Sequence, residues 1–298
     1  MKVSSVLFTT VVLTIIISLI CIWFYPSIQD FMVSNTMWNG INNYSREFST
    51  ENIDSFDVLS NLPKNDILVT IPYLDNSDEE MSRIKQFVNA GNTLILMDDY
   101  GFGNHILEYL GVTARFTNKP LLDPLFNFKN QRMPRITDFA SEVKESGIDV
   151  IMLNHASTLV NVTDSAAIAW SSSSSYLDID ENGALNQGEP EGPFVVAAEF
   201  RIGKGILILV SDPSIIINSM VGKDNNYDFI RYLTNHTGEQ GKIMIDSTHL
   251  TKMPLDVSKM RLIDTRKVLS NPYSLLGITA MIFIVVVRYT LKKGDIIG

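Results

Sequence analysis

The sequence predicts an α/β domain with a doubly wound, mostly parallel sheet, flanked by transmembrane helices at the N- and C-terminal ends. Three observations predict this architecture: an uncharged apolar run opens the chain, strand and helix patterns alternate through its middle, and a second apolar run precedes a basic end. The 298 residues therefore divide into an anchor at 1–26, an extracytoplasmic α/β domain at 27–270 and a transmembrane helix with a basic cytoplasmic tail at 271–298.

The N-terminal apolar run, residues 3–25, carries no charge and is dominated by Val, Leu, Ile and Phe. A helix of about 20 residues crosses a bilayer core of roughly 30 Å, so this run is long enough to span it. Trp23 and Tyr25 lie at its end, where aromatic rings favour the headgroup level. A cleaved signal peptide is the alternative, but its apolar region is usually shorter and ends in small residues. The pattern favours a retained anchor.

The second apolar run covers residues 273–287 and is followed by Arg288, Lys292 and Lys293. Basic residues beside a membrane span are retained in the cytoplasm, which places the C-terminal tail there. We therefore predict a two-pass protein of the cell membrane, with both termini cytoplasmic and the central domain outside. A buried core helix is the alternative interpretation of this run.

The first half of the domain shows a strand–helix–strand–helix order. A β-branched apolar run predicts a strand over 66–71, and Ser77 with Glu80 has the spacing of a helix capping box. That helix ends before Gly91, and a strand over 93–97 and a helix over 103–110 follow. This order predicts parallel strands covered by helices.

A similar unit is predicted later in the chain, with a strand over 205–210, helices over 214–221 and 224–234, and a strand over 242–245. Between the two units, apolar runs predict further strands over 149–153, 166–170 and 194–200. The region 136–144 fits a strand or a helix equally well.

Acidic and small polar residues follow three of the predicted strands. The residues are Asp98, Asp99, Ser211, Asp212, Asp246 and His249. The carboxyl ends of strands in an open parallel sheet face the crevice where ligands bind, which makes these residues candidate ligand contacts. The alternative is that they cap the following helices, and that the Asp246–His249 pair is a structural hydrogen bond.

Composition excludes several classes of function. The formal net charge of −9 argues against a nucleic-acid partner, because an acidic surface repels phosphates. A single cysteine, Cys21, excludes a disulfide framework and a CxxC redox pair. The sequence contains no G-x-S-x-G elbow and no histidine pair with zinc-binding spacing, so we predict no catalytic residue.

One segment, residues 178–189, fits the calcium-loop pattern D-x-[DN]-x-[DN]-G-x₅-E. Ca²⁺ prefers six to eight oxygen ligands, which such a loop supplies from alternate residues. The candidate ligands are Asp178, Asp180, Asn182, the Ala184 carbonyl, Asn186 and Glu189. Pro190 and Pro193 exclude the exit helix of an EF-hand, so the ion would be structural. A solvated turn without an ion is the alternative.

Three segments resemble a family of prokaryotic membrane proteins known as DUF4350: DILVTIPYLDNSDEEMSRIKQF and its continuation to residue 112, GPFVVAAEFRIGKGILILVSDPS and its continuation to residue 220, and IMIDSTHL at 243–250. The resemblance implies a fold like that of class I glutamine amidotransferases, which is also flavodoxin-like. Amidotransferase chemistry needs a thiolate nucleophile. Because Cys21 lies in the predicted anchor, this reaction is excluded.

Three functions follow from these patterns. The first is a non-catalytic, membrane-anchored binding or scaffold protein that takes a protein partner or a small ligand at the strand ends. The second is an extracytoplasmic hydrolase that uses the strand-end carboxylates. The third is an accessory subunit of a membrane transport complex. Convergent carboxylates with raised pKa values would favour the enzyme, whereas carboxylates that cap their own loops would favour the scaffold.

Overall fold

The computed structural model describes residues 3–61, 63–235, 241–251 and 253–294, and residues 295–298 of the predicted tail lie outside them. The chain divides into two compact units. One is the α/β domain, Pro26–Thr251, and the other combines Met1–Tyr25 with Lys252–Gly298. The helix that begins at Pro254 belongs to the second unit, and the predicted domain bounds at 27–270 remain a prediction.

The α-helices of the described residues are α1 (Val3–Phe24), α2 (Asn42–Glu47), α3 (Asp78–Asn89), α4 (Asn104–Leu110), α5 (Ser141–Glu145), α6 (Asn226–Thr234), α7 (Pro254–Ser270) and α8 (Pro272–Gly294). Two short 3-10 helices cover Phe56–Asn61 and Pro213–Ile216. The strands are β1 (Glu51–Ile53), β2 (Ile67–Thr70), β3 (Thr93–Met97), β4 (Arg115–Phe116), β5 (Leu121–Leu122), β6 (Asn127–Phe128), β7 (Asn130–Ile136), β8 (Asp138–Phe139), β9 (Ile151–Met152), β10 (Leu159–Val160), β11 (Ala167–Trp170), β12 (Tyr176–Leu177), β13 (Val195–Ile202), β14 (Gly205–Val210) and β15 (Ile243–Asp246).

The main sheet has the order β1-β15-β2-β3-β14-β13-β10-β4, and its centre is parallel. β15 and β3 flank β2 in parallel, and β14 adds to β3 in the same direction, with Leu94 opposite both Leu68 and Leu207. The central strands β2 and β3 are buried along their whole length, which explains why their sequences are continuous apolar runs. The prediction of a mixed α/β fold with a mostly parallel central sheet is confirmed. From β13 onward the pairings are antiparallel.

Helices cover both faces of the parallel strands. Leu94 and Leu96 point into a core under α3 and α4, whereas Ile95 and Met97 point into a second core that contains Phe229 of α6. This alternation follows from the period of two in a strand. The doubly wound order of the connections and the amidotransferase-like fold remain predictions.

Helix α3 begins and ends as predicted. The Ser77 Oγ accepts the Glu80 N–H at 3.3 Å, and the Glu80 Oε2 accepts the Ser77 N–H at 2.8 Å, which completes the capping box. Gly91 follows the helix at φ +111°, a conformation that glycine adopts without strain. This helix start stands beside the carboxyl edge of β2, close to the candidate residues.

The predicted helix over 214–221 is wrong, because only Pro213–Ile216 is helical, as a single 3-10 turn. The Asp212 side chain caps this turn, and Ile217 returns to extended backbone at ψ 156°. Ile215, Ile216 and Ile217 are all buried, so their apolar run reflects the core and not a helix face. The region 136–144 contains both of the predicted alternatives, because β8 is followed there by α5.

Candidate functional site

The carboxyl ends of β3, β14 and β15 present the strand-end residues along one edge of the parallel sheet. The structure divides them into two groups. Asp98 and Asp99 lie with Ser211 and Asp212 beyond the neighbouring strands β3 and β14, whereas Asp246 and His249 pair with each other beyond β15. The two groups have different chemical environments, and only one of them leaves an acceptor unused.

The Asp98 carboxylate fixes the loop that leads into α4. Its Oδ1 accepts the N–H groups of Tyr100 and Gly101 at 2.9 and 3.0 Å, and its Oδ2 accepts the Gly103 N–H at 2.7 Å. Burial raises the pKa of Asp98, and these backbone hydrogen bonds oppose that rise. Both oxygens are therefore committed to the local backbone.

Asp212 is fully buried and bonded in the same way. Its Oδ1 accepts the Ser214 N–H at 2.7 Å, and its Oδ2 accepts the Asn154 N–H at 2.6 Å. Burial raises the pKa of Asp212 to about 8, with a further contribution from the negative charge of Asp99. Beside it, the buried Oγ of Ser211 has no hydrogen-bond partner among the described residues, although the Ser211 carbonyl accepts the Ser157 N–H at 2.9 Å.

Asp99 differs from its neighbours because its Oδ1 is shielded from solvent and has no hydrogen-bond partner among the described residues. Burial raises the pKa of Asp99 to about 7, and the charge of Asp98 adds to the rise. An unpaired buried acceptor is costly, since it loses its hydrogen bonds to water without replacement. Asp99 is therefore the strand-end carboxylate with a buried oxygen that lacks a hydrogen-bond donor among the described residues.

Three aromatic rings lie beside Asp99: Tyr73 follows β2, and Tyr100 and Phe102 follow β3. We call Tyr73, Tyr100 and Phe102 the aromatic triad. Their ring centroids lie 5.7 Å (Tyr73–Tyr100), 6.4 Å (Tyr73–Phe102) and 6.3 Å (Tyr100–Phe102) apart. Tyr100 is 54% exposed and Phe102 is 44% exposed, so the triad opens to the surface. The sequence analysis missed it, although all three residues follow predicted strands.

The charges around the triad are negative. Burial raises the pKa of Tyr73, and the charge of Asp99 makes the next contribution, followed by smaller ones that include Asp30 and Asp98. Burial also raises the pKa of Tyr100, with Asp99 and Asp30 as the charged neighbours. Asp30 reaches this edge from the loop before α2, whose Phe31 ring stacks on Tyr73 at 5.8 Å. The triad is thus an aromatic surface with carboxylates on several sides.

The second group is a closed, buried ion pair. The His249 Nδ1 lies 2.8 Å from Asp246 Oδ2, which also accepts the Thr70 hydroxyl at 2.8 Å. Asp246 Oδ1 accepts the Thr248 N–H and hydroxyl at 2.8 and 2.6 Å. The His249 Nε2 lies 3.6 Å from Glu80 Oε1, so the pair ties the loop after β15 to the start of α3.

Asp246 and His249 each stabilise the charged form of the other. Burial acts to raise the pKa of Asp246, but the hydrogen bond and charge of His249, with Thr248, outweigh it, and the pKa is lowered. Burial acts to lower the pKa of His249, but Asp246 and then Glu80 outweigh it, and the pKa is raised. These contacts agree with the structural hydrogen bond that the spacing of three residues allowed.

The segment 178–189 brings three carboxylates together. Ligand oxygens of Asp178, Asp180 and Glu189 lie within 4.8 Å of one another, and Asp178 is completely buried. Asn182 and Asn186 each donate their Nδ2–H to Asp180 Oδ2 at 3.0 Å. This donor set could hold a metal ion, because carboxylate and amide oxygens are the ligands of hard cations.

The loop backbone is already folded around these carboxylates. Asp178 accepts the N–H groups of Asn182 and Gly183 at 3.0 and 2.9 Å. Glu189 accepts those of Ile179 and Asn186 at 2.7 and 2.9 Å. The Ala184 N–H donates to Asn182 Oδ1 at 2.8 Å. Strands β12 and β13 border the segment, so the predicted absence of an EF-hand exit helix is confirmed.

In the second unit, α1 contains a run, Val6–Phe24, that is long and apolar enough to cross a membrane. Signal sequences share this length and composition. Within the described residues, α7 and α8 pass the same test only when they are taken together as one span bent by 84°. The apolar N-terminal helix is thus confirmed, whereas the second span and the orientation remain predictions.

The fold and this edge define a class of protein: a mixed α/β domain that carries an acidic, aromatic site at the strand ends and a separate carboxylate loop. The chain belongs to the family described as domain of unknown function (DUF4350), whose members' pattern matches residues 44–234. The family prediction is therefore confirmed. No curated protein sequence matches the chain.

Two solved structures are similar to this chain at low sequence identity. The mmIFT52 N-terminal domain has a TM-score of 0.48 and 13% identity, covering 66% of this chain and 90% of that domain. The β-galactosidase from Bacillus circulans sp. alkalophilus has a TM-score of 0.35 and 12% identity, covering 59% of this chain and 23% of the enzyme. Similarities at this level support no statement about function.

Proposed function

We propose that the protein is a membrane-anchored, extracytoplasmic and non-catalytic binding protein, whose ligand site is the carboxyl edge of the parallel sheet beside Asp99. The supporting observation is the division of labour among the strand-end carboxylates. Asp98, Asp212 and Asp246 use both oxygens to accept hydrogen bonds from nearby chain segments. Of these four strand-end carboxylates, Asp99 alone has a buried oxygen without a partner among the described residues.

A hydrolase is the alternative, and Asp99 is the observation in its favour, because a carboxylate with a pKa of about 7 suits a general base at neutral pH. Hydrolysis also needs an acid or a nucleophile within reach of the same reacting atom. Asp212 interacts with Asp99 and has a pKa raised to about 8, but both of its oxygens accept backbone N–H groups, from Asn154 and Ser214. His249, in the other group, is held by Asp246 and Glu80. The geometry therefore favours binding over catalysis. The transport-subunit hypothesis remains a prediction.

The binding proposal is tested by a thermal-shift panel on the full chain in a non-ionic detergent. The probes are cadaverine, glucose, succinate and inorganic phosphate, one for each ligand class. At least one class should raise the melting temperature of the wild type, and the same class should have no effect on Phe102→Ala. If no class binds, or if binding survives in Phe102→Ala, the carboxyl edge is not the ligand site.

The two-pass topology is tested by labelling introduced cysteines in a Cys21→Ser background, which removes the native thiol. Ser165→Cys lies at an exposed position of the α/β domain, and Asp295→Cys lies in the predicted tail. A membrane-impermeant maleimide should label the first in intact cells and the second only after lysis. Labelling of Ser165→Cys only after lysis would place the domain in the cytoplasm and contradict the proposal.

We further propose that the segment 178–189 binds Ca²⁺ as a structural ion. Asp178, Asp180 and Glu189 would supply carboxylate oxygens. Asn182 and Asn186 now donate their Nδ2–H groups to Asp180, so their amides would have to flip to present oxygen, and the Ala184 carbonyl would complete the set. A positive ion relieves the mutual repulsion of three converging carboxylates. Outside the cytoplasm, a site with a dissociation constant of about 10⁻⁴ to 10⁻³ M could fill.

Calcium should stabilise the full chain measurably. At 10 mM Ca²⁺, a site with a dissociation constant of about 1 mM adds about 1.4 kcal/mol, which corresponds to a rise in melting temperature of about 3–6 °C relative to EDTA. Glu189→Gln should abolish this rise. Glu191→Gln removes the same charge from an exposed position just outside the loop and should preserve it. Equal shifts in the two variants, or equal shifts with Mg²⁺, would contradict a calcium site.

A further inference from the structure

We infer that the site beside Asp99 binds a primary alkylammonium group, with its nitrogen at the Asp99 carboxylate and its alkyl chain on the aromatic triad. This inference rests on the proposed function, since it assigns a ligand class to the same edge. Three independent features support it: the sign of the local charge, the unused acceptor of Asp99 and the rings of the triad.

The local charge selects a cation. The strongest charge contribution at Tyr73 and Tyr100 comes from Asp99, and Asp30 contributes at both. Asp212 is fully buried and interacts with Asp99, but its pKa of about 8 means that it adds a negative charge mainly above neutral pH. Charges of one sign in a partly desolvated site attract the opposite sign strongly. A carboxylate or phosphate ligand would be repelled by the same groups.

The aromatic triad selects an ammonium group with an apolar stem. Ring faces attract an ammonium within about 6 Å of the centroid, and they bury methylene groups at the same time. Tyr73 and Tyr100 pack in a tilted arrangement with an interplanar angle of 55°, so their faces are not stacked on each other. The half-exposed Tyr100 and Phe102 leave room for a stem that approaches from solvent.

The unused acceptor distinguishes a primary from a quaternary ammonium. Asp99 Oδ1 has no donor among the described residues, and a primary ammonium offers three N–H groups. A quaternary ammonium offers none and would leave this oxygen unpaired, at the same cost as in the unbound protein. Because Oδ1 is shielded from solvent, a neighbouring side chain has to move before the amine can reach it.

The affinity of the site for an ammonium group should depend on pH, because Asp99 exchanges its proton near neutrality. The ionised form of Asp99 binds the ammonium, and its pKa of about 7 in the unbound protein means that half of the molecules are protonated near neutrality. Alkylamines keep their proton up to about pH 10. Affinity should therefore fall about tenfold from pH 8 to pH 6. The titratable groups that interact with Asp99 are Asp98, Asp212, Tyr73 and Tyr100, and Asp30 acts on the two tyrosines.

Calorimetric titration of the full chain in detergent tests this inference, with cadaverine, tetramethylammonium and 1-pentanol as probes. Cadaverine should bind at least tenfold more tightly than either of the others. Asp99→Asn keeps the size of the side chain. It should weaken the binding of cadaverine at least tenfold and remove the pH dependence of that binding. Asp164→Asn removes the same charge from an exposed loop and should leave the affinity for cadaverine and its pH dependence unchanged. Thermal unfolding of Asp99→Asn confirms that the variant is folded.

The outcomes separate the inference from the proposed function. If tetramethylammonium matches cadaverine, or if Asp99→Asn binds cadaverine as well as the wild type, the ammonium assignment is overturned. If glucose binds in the panel and cadaverine does not, the edge is a binding site for another ligand class. Tighter binding of N-acetyl-lysine amide than of cadaverine identifies a lysine side chain as the source, and the reverse identifies a free amine.

Discussion

Replacing Gly205 by alanine should strongly destabilise the α/β domain and lower its melting temperature. A Cβ at this position would lie 2.1 Å from the Val88 carbonyl oxygen and 2.3 Å from that of Asn92, and both atoms are backbone. Gly205 begins β14, beside the turn that joins α3 to β3, and Ile206 N–H donates to Asn92 O at 3.2 Å. Neither neighbour can rotate away, so the clash separates β14 from the sheet.

We expect a loss of about 3 kcal/mol or more, the upper end of the range for overpacking. The measurement is thermal unfolding of the full chain, followed by circular dichroism. Gly222→Ala is the matched control, because its Cβ would meet only the Tyr227 Cε2, at 3.5 Å. Similar melting temperatures for Gly205→Ala and Gly222→Ala would show that the turn after α3 can yield, contrary to the geometry.

The parallel centre of the sheet could be predicted because its signals are local. Buried parallel strands read as short apolar runs, and β3 and β14 have the bounds that the sequence predicts, Thr93–Met97 and Gly205–Val210. Helix α3 follows from Ser77, Glu80 and the positive φ of Gly91. Each of these signals lies within the element that it specifies.

The antiparallel pairing of the strands could not be predicted, because it depends on turns and on partners that are distant in the sequence. β13 and β14 are joined through Gly203 at φ +59°, with Ile202 opposite Gly205. The sequence predicts both strands, but their apolar runs carry no direction. Of the strands between β4 and β12, all but β7 and β11 contain only two residues, too few for a periodic pattern.

The serine run 171–175 illustrates the same limit at the level of side chains. Its composition is typical of a flexible or extended connection. In the structure the hydroxyls of Ser172 and Ser174 donate to the buried Asp123 carboxylate at 2.5 and 3.1 Å. Asp123 lies 49 residues before Ser172, so no local pattern reveals the contact.

The candidate site was predictable in position but not in chemistry. The topology of a parallel sheet places Asp98, Asp99 and Asp212 at one edge, as predicted. Which of them is bonded and which is not depends on backbone N–H groups of separate loops, such as that of Asn154. The aromatic triad requires Tyr73 to meet Tyr100 across two strands, and this contact follows from the register of β2 and β3.

The second large effect is expected for His249→Ala, which should destabilise the domain by about 3–5 kcal/mol. The substitution leaves the Asp246 carboxylate buried without its charged partner, and the pair itself is almost inaccessible, with side chains 5% and 0% exposed. It also removes the ring that packs on Phe56, at a centroid distance of 5.1 Å. Urea unfolding of the full chain measures the loss. His105→Ala is the control, since His105 and its partner Asp75 are mostly exposed.

The stabilisation by this pair should depend on pH in two opposite ways. Because the pKa of His249 is raised in the folded protein, its contribution is complete below the unfolded value of about 6.5 and is lost as the pH rises through the folded pKa. Because the pKa of Asp246 is lowered, its contribution is complete above about 3.9 and is lost as the pH falls through the folded pKa.

The difference in unfolding free energy between wild type and His249→Ala should therefore be largest between about pH 4 and pH 6.5 and should shrink above this window. His105→Ala should show no such maximum, because an exposed pair is screened by solvent. A difference that is constant from pH 4 to pH 9 would mean that His249 stabilises the domain as a neutral ring. In that case the contact with Phe56 and the hydrogen bonds, and not the charge, would hold the loop after β15 against α3.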